Sequence, residues 1–195
     1  MITINPSVRL AKNTVAPFVD MKALPTDSLT VMEVGEKAYA GGAKFQNGDV
    51  LLARITPCLE NGKTALVDFL DGDQVGFGST EFIVLRRTKR TCQEYVYSLA
   101  RSDAFRTHCI ASMVGSSGRQ RVQTACLETF YVAEPPEPVM VAFYSRTGPY
   151  ITKVTTNART MRIICRLRDT LLPKLLTGEL GVTPMINTLE DSHEG

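Results

Sequence analysis

From Tyr150 to Leu175 the chain carries a seven-residue repeat, and no other feature constrains its fold as tightly. Tyr150, Asn157, Ile164 and Leu171 form one row; Val154, Met161, Arg168 and Leu175 form the other. Spacing that alternates between four and three marks the a and d positions of a coiled coil. Six of the eight positions are apolar. Asn157 and Arg168 are the exceptions, and a buried Asn at such a position sets register at some cost in stability. A helix over 150–176 spans roughly 40 Å at about 1.5 Å per residue, too long to bury both faces on a small domain. The seam therefore calls for a partner helix. The alternative is a helix lying back on its own domain.

The first 137 residues read as a compact domain of short strands with one or two helices. DVLLAR (49–54) has strand length and follows the turn pair Asn47-Gly48. ITPCLENG then carries turn chemistry at Pro57 and Asn61-Gly62. KTALVDFL (63–70) resumes as a strand, and Asp71-Gly72 ends it. EFIVL (81–85) is a third strand, entered from GFGST, where Gly76 and Gly78 are expected to permit unusual backbone angles. Between 92 and 111 the apolar spacing turns helical, with Val96, Leu99 and Ala100 three and four apart. GSSGRQR (115–121) reads as a polar loop, and LETFYVA (127–133) as a final strand. The prolines at 135, 136 and 138 mark a boundary. Beyond them the sequence predicts one long helix with a kink near Gly148-Pro149, stopped by Gly178.

The fold class is thus α+β. A compact, mixed, β-rich domain fills 1–137, a long helix suited to coiled-coil pairing follows over 138–177, and 178–195 is a disordered tail. Five cysteines, an odd number without a Cys-x-x-Cys pair, argue against a disulfide framework or a zinc site and read as small buried thiols. His108 and His193 are the two histidines, too few for a His-rich metal centre. No metal is expected. No run approaches membrane-span length, and MITINPSVRLAKN lacks the apolar stretch of a secretory signal, which points to the cytoplasm.

Net charge is only +2, but it is unevenly distributed. Residues 86–121 hold eight Lys/Arg against two Asp/Glu, and 153–174 hold six against one. Two basic blocks suggest a polyanion at two places, though a basic run is more often a solvated face. Catalytic signatures are missing. There is no phosphate-binding Gly-x-x-x-x-Gly-Lys loop, no Gly-x-Ser-x-Gly elbow and no His-Glu-x-x-His. VGFGST (75–80) has the glycines of a cofactor loop, but a strand follows where a βαβ unit should. Asn5-Pro6-Ser7 lacks the aromatic with which adenine methyltransferases clamp a flipped base. Asp71 and Asp73 are more simply a turn than a carboxylate pair. No cofactor is expected. Either the chain is a binding module, or its chemistry belongs to a partner.

Three stretches together resemble one family. LRDTLLPKLLTGEL (167–180) is similar to the close of the long conserved helix in type I restriction–modification specificity subunits. NGDVLLARITPCLENGKTALVDFL (47–70) with GFGSTEFIVLR (76–86) resembles the central strands of their target-recognition domains. EYVYSLARSDAFR (94–106), GSSGRQRV (115–122) and the double proline resemble the end of such a domain, and INPSVRLAKNTVAPFVDMKALP (4–25) its opening. The resemblance covers about 4–180. It implies a non-catalytic subunit that reads double-stranded DNA, paired with methyltransferase subunits and, through them, a restriction subunit. A full subunit of the family has two recognition domains and two spacer helices that pair antiparallel as a ruler between half-sites. One recognition domain is present here, and the short upstream segment usual in the family is not. The chain reads either as a half-subunit forming a homodimer through its helix or as a fragment.

Base readout needs Arg for guanine and Asn or Gln for adenine, while Lys, Ser, Thr and backbone amides hold phosphates. The DNA-contact candidates are therefore Ser116, Ser117, Arg119, Gln120 and Arg121 in one loop, and Arg54, Thr56, Asn61 and Lys63 in another. Ser79 and Thr80 touch phosphate or cap a turn. The run 86–90 is expected to position DNA electrostatically. Lys153, Arg159, Arg162 and Arg166 face either DNA or a methyltransferase subunit. Two other readings stay open: a small cytosolic enzyme or oligomerising adaptor without a DNA role, and an inhibitory half-subunit that sequesters a methyltransferase. The adaptor reading predicts that loops 54–63 and 115–121 do not share a basic face.

Overall fold

The computed structural model describes residues 1–181. The expected tail falls mostly on 182–195, outside the described residues. Eight strands come first: β1 (Ile2–Ile4), β2 (Val15–Val19), β3 (Gly35–Ala38), β4 (Ala43–Phe45), β5 (Val50–Ala53), β6 (Thr64–Leu66), β7 (Gly76–Gly78) and β8 (Phe82–Arg87). Helices α1 (Gln93–Arg101) and α2 (Asp103–Ala111) follow, then a ribbon of β9 (Met113–Val114) and β10 (Arg121–Val122). The short α3 (Thr124–Glu128) and the 40-residue α4 (Glu137–Leu176) complete the elements of the described residues.

One sheet has the order β1-β8-β5-β6, and a second the order β3-β2-β7-β4. The first is antiparallel throughout, whereas β2 and β7 of the second run parallel. The unbroken apolar run VLLA of β5 follows from its place in the first sheet. Successive side chains of a strand point to opposite faces, and here both faces are covered. Leu51 and Ala53 meet Val19, Phe45, Ala65 and Val84 between the two sheets. Val50 and Leu52 meet Ile83, Leu85, Val96, Phe105, Cys109 and Val122 on the helical side.

Ser102 divides the helical stretch in two. Its backbone N–H donates to Leu99 O at 3.0 Å, and its hydroxyl accepts from Phe105 N at 3.3 Å, capping α2. Such a cap satisfies one of the orphan N–H groups of a helix start.

Two strand-level expectations are corrected. The stretch 127–133 is not a strand: α3 occupies 124–128, and 129–133 has no regular structure. Leu127 packs into the core and Phe130, three residues on, packs against it, with its ring 5.2 Å edge-on to Phe105. Three-residue spacing puts both on one face of a helical turn; alternation would have separated them. Gly76 and Gly78 have ordinary φ angles. They are glycines for lack of room. A Cβ on Gly76 would lie 2.4 Å from Phe45, and one on Gly78 2.7 Å from the Val19 carbonyl oxygen.

The chain divides into two compact units, Met1–Thr156 and Asn157–Gly195. The division lies inside α4. The first turns of α4 belong to the head. Met140 is buried, Phe143 meets the Tyr95 ring edge-on at 6.1 Å, and Ile151 packs against the helical-side core. In the second unit, α4 ends at Leu176 and Gly178 takes φ +76°, its N–H donating to Leu175 O at 3.2 Å. That left-handed stop is the one the glycine predicted. Helix α4 continues through Gly148-Pro149 as one element.

Candidate nucleic-acid interface

Three chain segments meet at the end of β5. Arg54 N–H donates to Glu81 O at 3.0 Å, Val122 N–H donates to Arg54 O at 2.9 Å, and Thr56 N–H donates to Gln120 O at 3.1 Å. Ile55 bridges Arg121 antiparallel. The loops that begin at Arg54 and end at Arg121 are therefore one continuous backbone surface. Strand alternation then sets the side chains of β10: Val122 is fully buried in the core, so Arg121 points outward.

Arg121 faces Glu81. Its Nε donates to both carboxylate oxygens at 3.0 Å, and an Nη donates to Oε1 at 2.8 Å. Arg54 Nε lies 3.6 Å from the other oxygen. The hydrogen bonds and charge of Glu81 hold the Arg121 guanidinium above the ordinary arginine range. Two arginines share one carboxylate, which leaves the cluster net positive. Arg119, Ser116 and Ser117 are exposed at the tip of the β9–β10 hairpin, where Arg119 N–H closes a turn onto Ser116 O at 3.0 Å.

The remaining candidates are distributed less simply. Thr56 donates its hydroxyl to the Met113 sulfur at 3.9 Å, and Thr80 is exposed beside Glu81. Ser79 accepts from Glu81 N–H at 3.1 Å, the turn-capping alternative. Asn61 is exposed in a turn of its own. Lys63 does not join the arginines: its ammonium donates to the Met21 and Lys22 carbonyls at 2.9 and 3.2 Å.

The basic run at 86–90 is partly paired within the molecule. Arg86 is spent on buried Asp49, with Nε and Nη bonds of 2.6 and 2.7 Å, and Arg90 on Glu134 at 2.9 Å. Arg87 and Lys89 stay exposed. Sequence reasoning missed Glu81. No local signal marks it, because its arginine partner is 40 residues away. It also missed Lys37 and Lys44, whose ammoniums sit 4.0 and 5.9 Å over the Phe18 and Tyr39 rings on the second sheet.

Of the seam positions, Tyr150, Val154, Asn157, Met161, Ile164, Arg168 and Leu175 are exposed and Leu171 is half-buried. Lys153, Arg159 and Arg166 are exposed as well. All five cysteines are free thiols, and burial pushes that of Cys109 up to about 12. Only Cys109 is fully buried; the other four are partly accessible. Among the described residues no group of three or more His, Cys, Asp or Glu is placed to hold a metal ion, and no helix is long and apolar enough to cross a membrane.

No family model matches the chain. It is 28% identical over 196 residues to the specificity subunit of the Escherichia coli type I restriction enzyme EcoEI, covering 97% of this chain and 31% of that one. The specificity subunit of the Escherichia coli enzyme EcoAI is 34% identical over 97 residues, 49% of this chain and 16% of that one. In fold, the chain is similar to the crystal structure of the HsdS subunit from Thermoanaerobacter tengcongensis, with a TM-score of 0.55 and 22% identity over 86% of this chain and 43% of the other. The chain thus spans about a third of the EcoEI relative and under half of the HsdS subunit. In sequence along nearly its whole length, and in fold, the chain is similar to the specificity subunits of type I restriction enzymes.

Proposed function

We propose that this chain reads one half-site of double-stranded DNA for a type I restriction–modification system in the cytoplasm. Catalysis then resides in partner subunits, a methyltransferase and, through it, a restriction subunit. The observation that carries this reading is the backbone junction of 54–56 with 120–122. It joins the loop of Arg54 to the hairpin that carries Ser116, Ser117, Arg119 and Arg121, with Arg54 and Arg121 at the same Glu81 carboxylate, and this supports a shared cationic contact surface. An adaptor without a DNA role has no need to join those loops. The exposed seam of α4 supports a helix-pairing role, either with a second copy or with the spacer helix of a second recognition domain. In both arrangements the two readers are held at a set separation, and two copies would favour a palindromic split site.

Phosphate contacts release counterions, so affinity should fall steeply with salt. The test is fluorescence anisotropy of the full chain, co-expressed with a methyltransferase subunit, on duplex DNA between about 50 and 200 mM salt. The expected log–log slope is about −2 or steeper, since each neutralised phosphate contributes about −0.9. A flat response removes the reading.

A further inference from the structure

The Arg121–Glu81 pair is built in a way that a simple phosphate contact does not require. A guanidinium has two edges that donate bidentately: the side, through Nε and one Nη, and the end, through both Nη atoms. Glu81 fills the side edge, with three bonds of 2.8 to 3.0 Å. The end edge is left over, on a side chain that is 50% exposed. The anchor is firm on both sides. Glu81 is only 20% exposed, its N–H is tied to the Ser79 hydroxyl, and its carbonyl accepts from Arg54. The backbone of Arg121 is held between Val122 in the core and the bridge to Ile55. Arg54 Nε, shielded from solvent and without a hydrogen-bond acceptor, lies beside the same carboxylate and limits where it can turn.

This arrangement discriminates between two kinds of acceptor. A phosphate is best held by a cation whose charge is not already cancelled, and a fixed carboxylate next to the DNA backbone repels it. A base edge asks for geometry more than charge. The guanine O6 and N7 atoms accept a planar fork of two N–H groups, the pattern the free end of Arg121 presents. We infer that Arg121, oriented by Glu81, reads a guanine in the major groove, with Arg121 the contact and Glu81 a positioning residue. The inference rests on the DNA-reading function proposed above.

The test is selection from a pool of randomised duplexes by the full chain, as wild type, Arg121→Ala and Glu81→Gln, followed by salt titrations on the selected and scrambled sequences. Wild type should select a motif containing guanine. In Arg121→Ala one guanine position should lose its preference, by about 5- to 150-fold, with the salt slope unchanged. Glu81→Gln removes a negative charge. Binding to scrambled DNA should therefore tighten while preference at that same guanine falls, a combination that loss of fold does not produce. Circular dichroism melts confirm that both variants are folded. The inference is overturned if the wild-type motif lacks guanine, or if both variants select it unchanged. It is also overturned if Arg121→Ala weakens all sequences equally and lowers the slope by about 1, the signature of a phosphate contact. Those outcomes leave DNA reading intact, because the wild type still binds. Absence of salt-sensitive binding by the wild type removes the proposed function and this inference together.

Discussion

Truncating Asp49 is expected to destabilise the head strongly. Asp49 is 1% exposed and accepts three bonds: two from Arg86, at 2.6 and 2.7 Å, and one from Gln46 N–H at 2.7 Å. Breaking a fully buried pair by removing one partner costs about 3–5 kcal/mol. Arg86 is 28% exposed, so its charge recovers part of its hydration, which lowers the figure to roughly 2–3 kcal/mol. The unpaired Gln46 N–H adds about 1 kcal/mol. Asp49→Ala should therefore lose about 3–4 kcal/mol, a fall in Tm of roughly 6–16 °C for a domain of this size. The assay is thermal and urea denaturation of the full chain followed by circular dichroism. Arg86→Ala and the double variant complete a cycle, in which the double should fall short of additivity by about 1–2 kcal/mol. A loss under about 1 kcal/mol for Asp49→Ala, or strict additivity, would refute the argument that this pair is a buried strut of the fold.

Three further outcomes follow from the same structure. Gly78→Ala drives a Cβ to 2.7 Å from the Val19 carbonyl oxygen and 2.6 Å from the Phe82 ring. It should lower stability by about 1–3 kcal/mol or more, and an unchanged urea midpoint would contradict the packing described. Ile164→Asp puts a charge in the exposed seam. Light scattering of the chain, alone and with a methyltransferase subunit, should show loss of assembly, with the melt of the head unaltered. Burial holds the Cys109 thiol at about 12 against an unfolded value of 9.0, so the folded state favours the neutral form. That contribution is complete below pH 9 and is lost as pH rises toward 12. Cys109→Ala should lack this alkaline fall in urea midpoint, and parallel curves for the two proteins would refute it.

Much of the fold was legible because its cause was local. The run VLLA after Asn47-Gly48, the strand read at 81–85, the helical spacing of 92–111 and the Gly178 stop all declare themselves within a few residues. The misreadings have non-local causes. LETFYVA has strand composition, but the positions of Leu127 and Phe130 against Phe105 make it a helical turn followed by irregular chain. Gly76 and Gly78 read as positions for unusual backbone angles, yet what excludes a side chain there is the rings of Phe45 and Phe82 and the Val19 carbonyl. The candidate loops were visible from their polar, glycine-framed composition. Which of their cations remain available was not, because Arg86, Arg90, Arg121 and Lys63 each answer to a partner from a distant segment.

The order of residues alone determined that this chain holds a β-rich head and a long helix with an apolar seam, because periodicity and turn chemistry act over a few neighbours. Tertiary structure decided which loops share a surface, which arginines are spent inside the molecule, and that Glu81 stands between Arg54 and Arg121. Electrostatic partners are chosen by proximity in space, and backbone pairing between segments far apart in the chain creates that proximity.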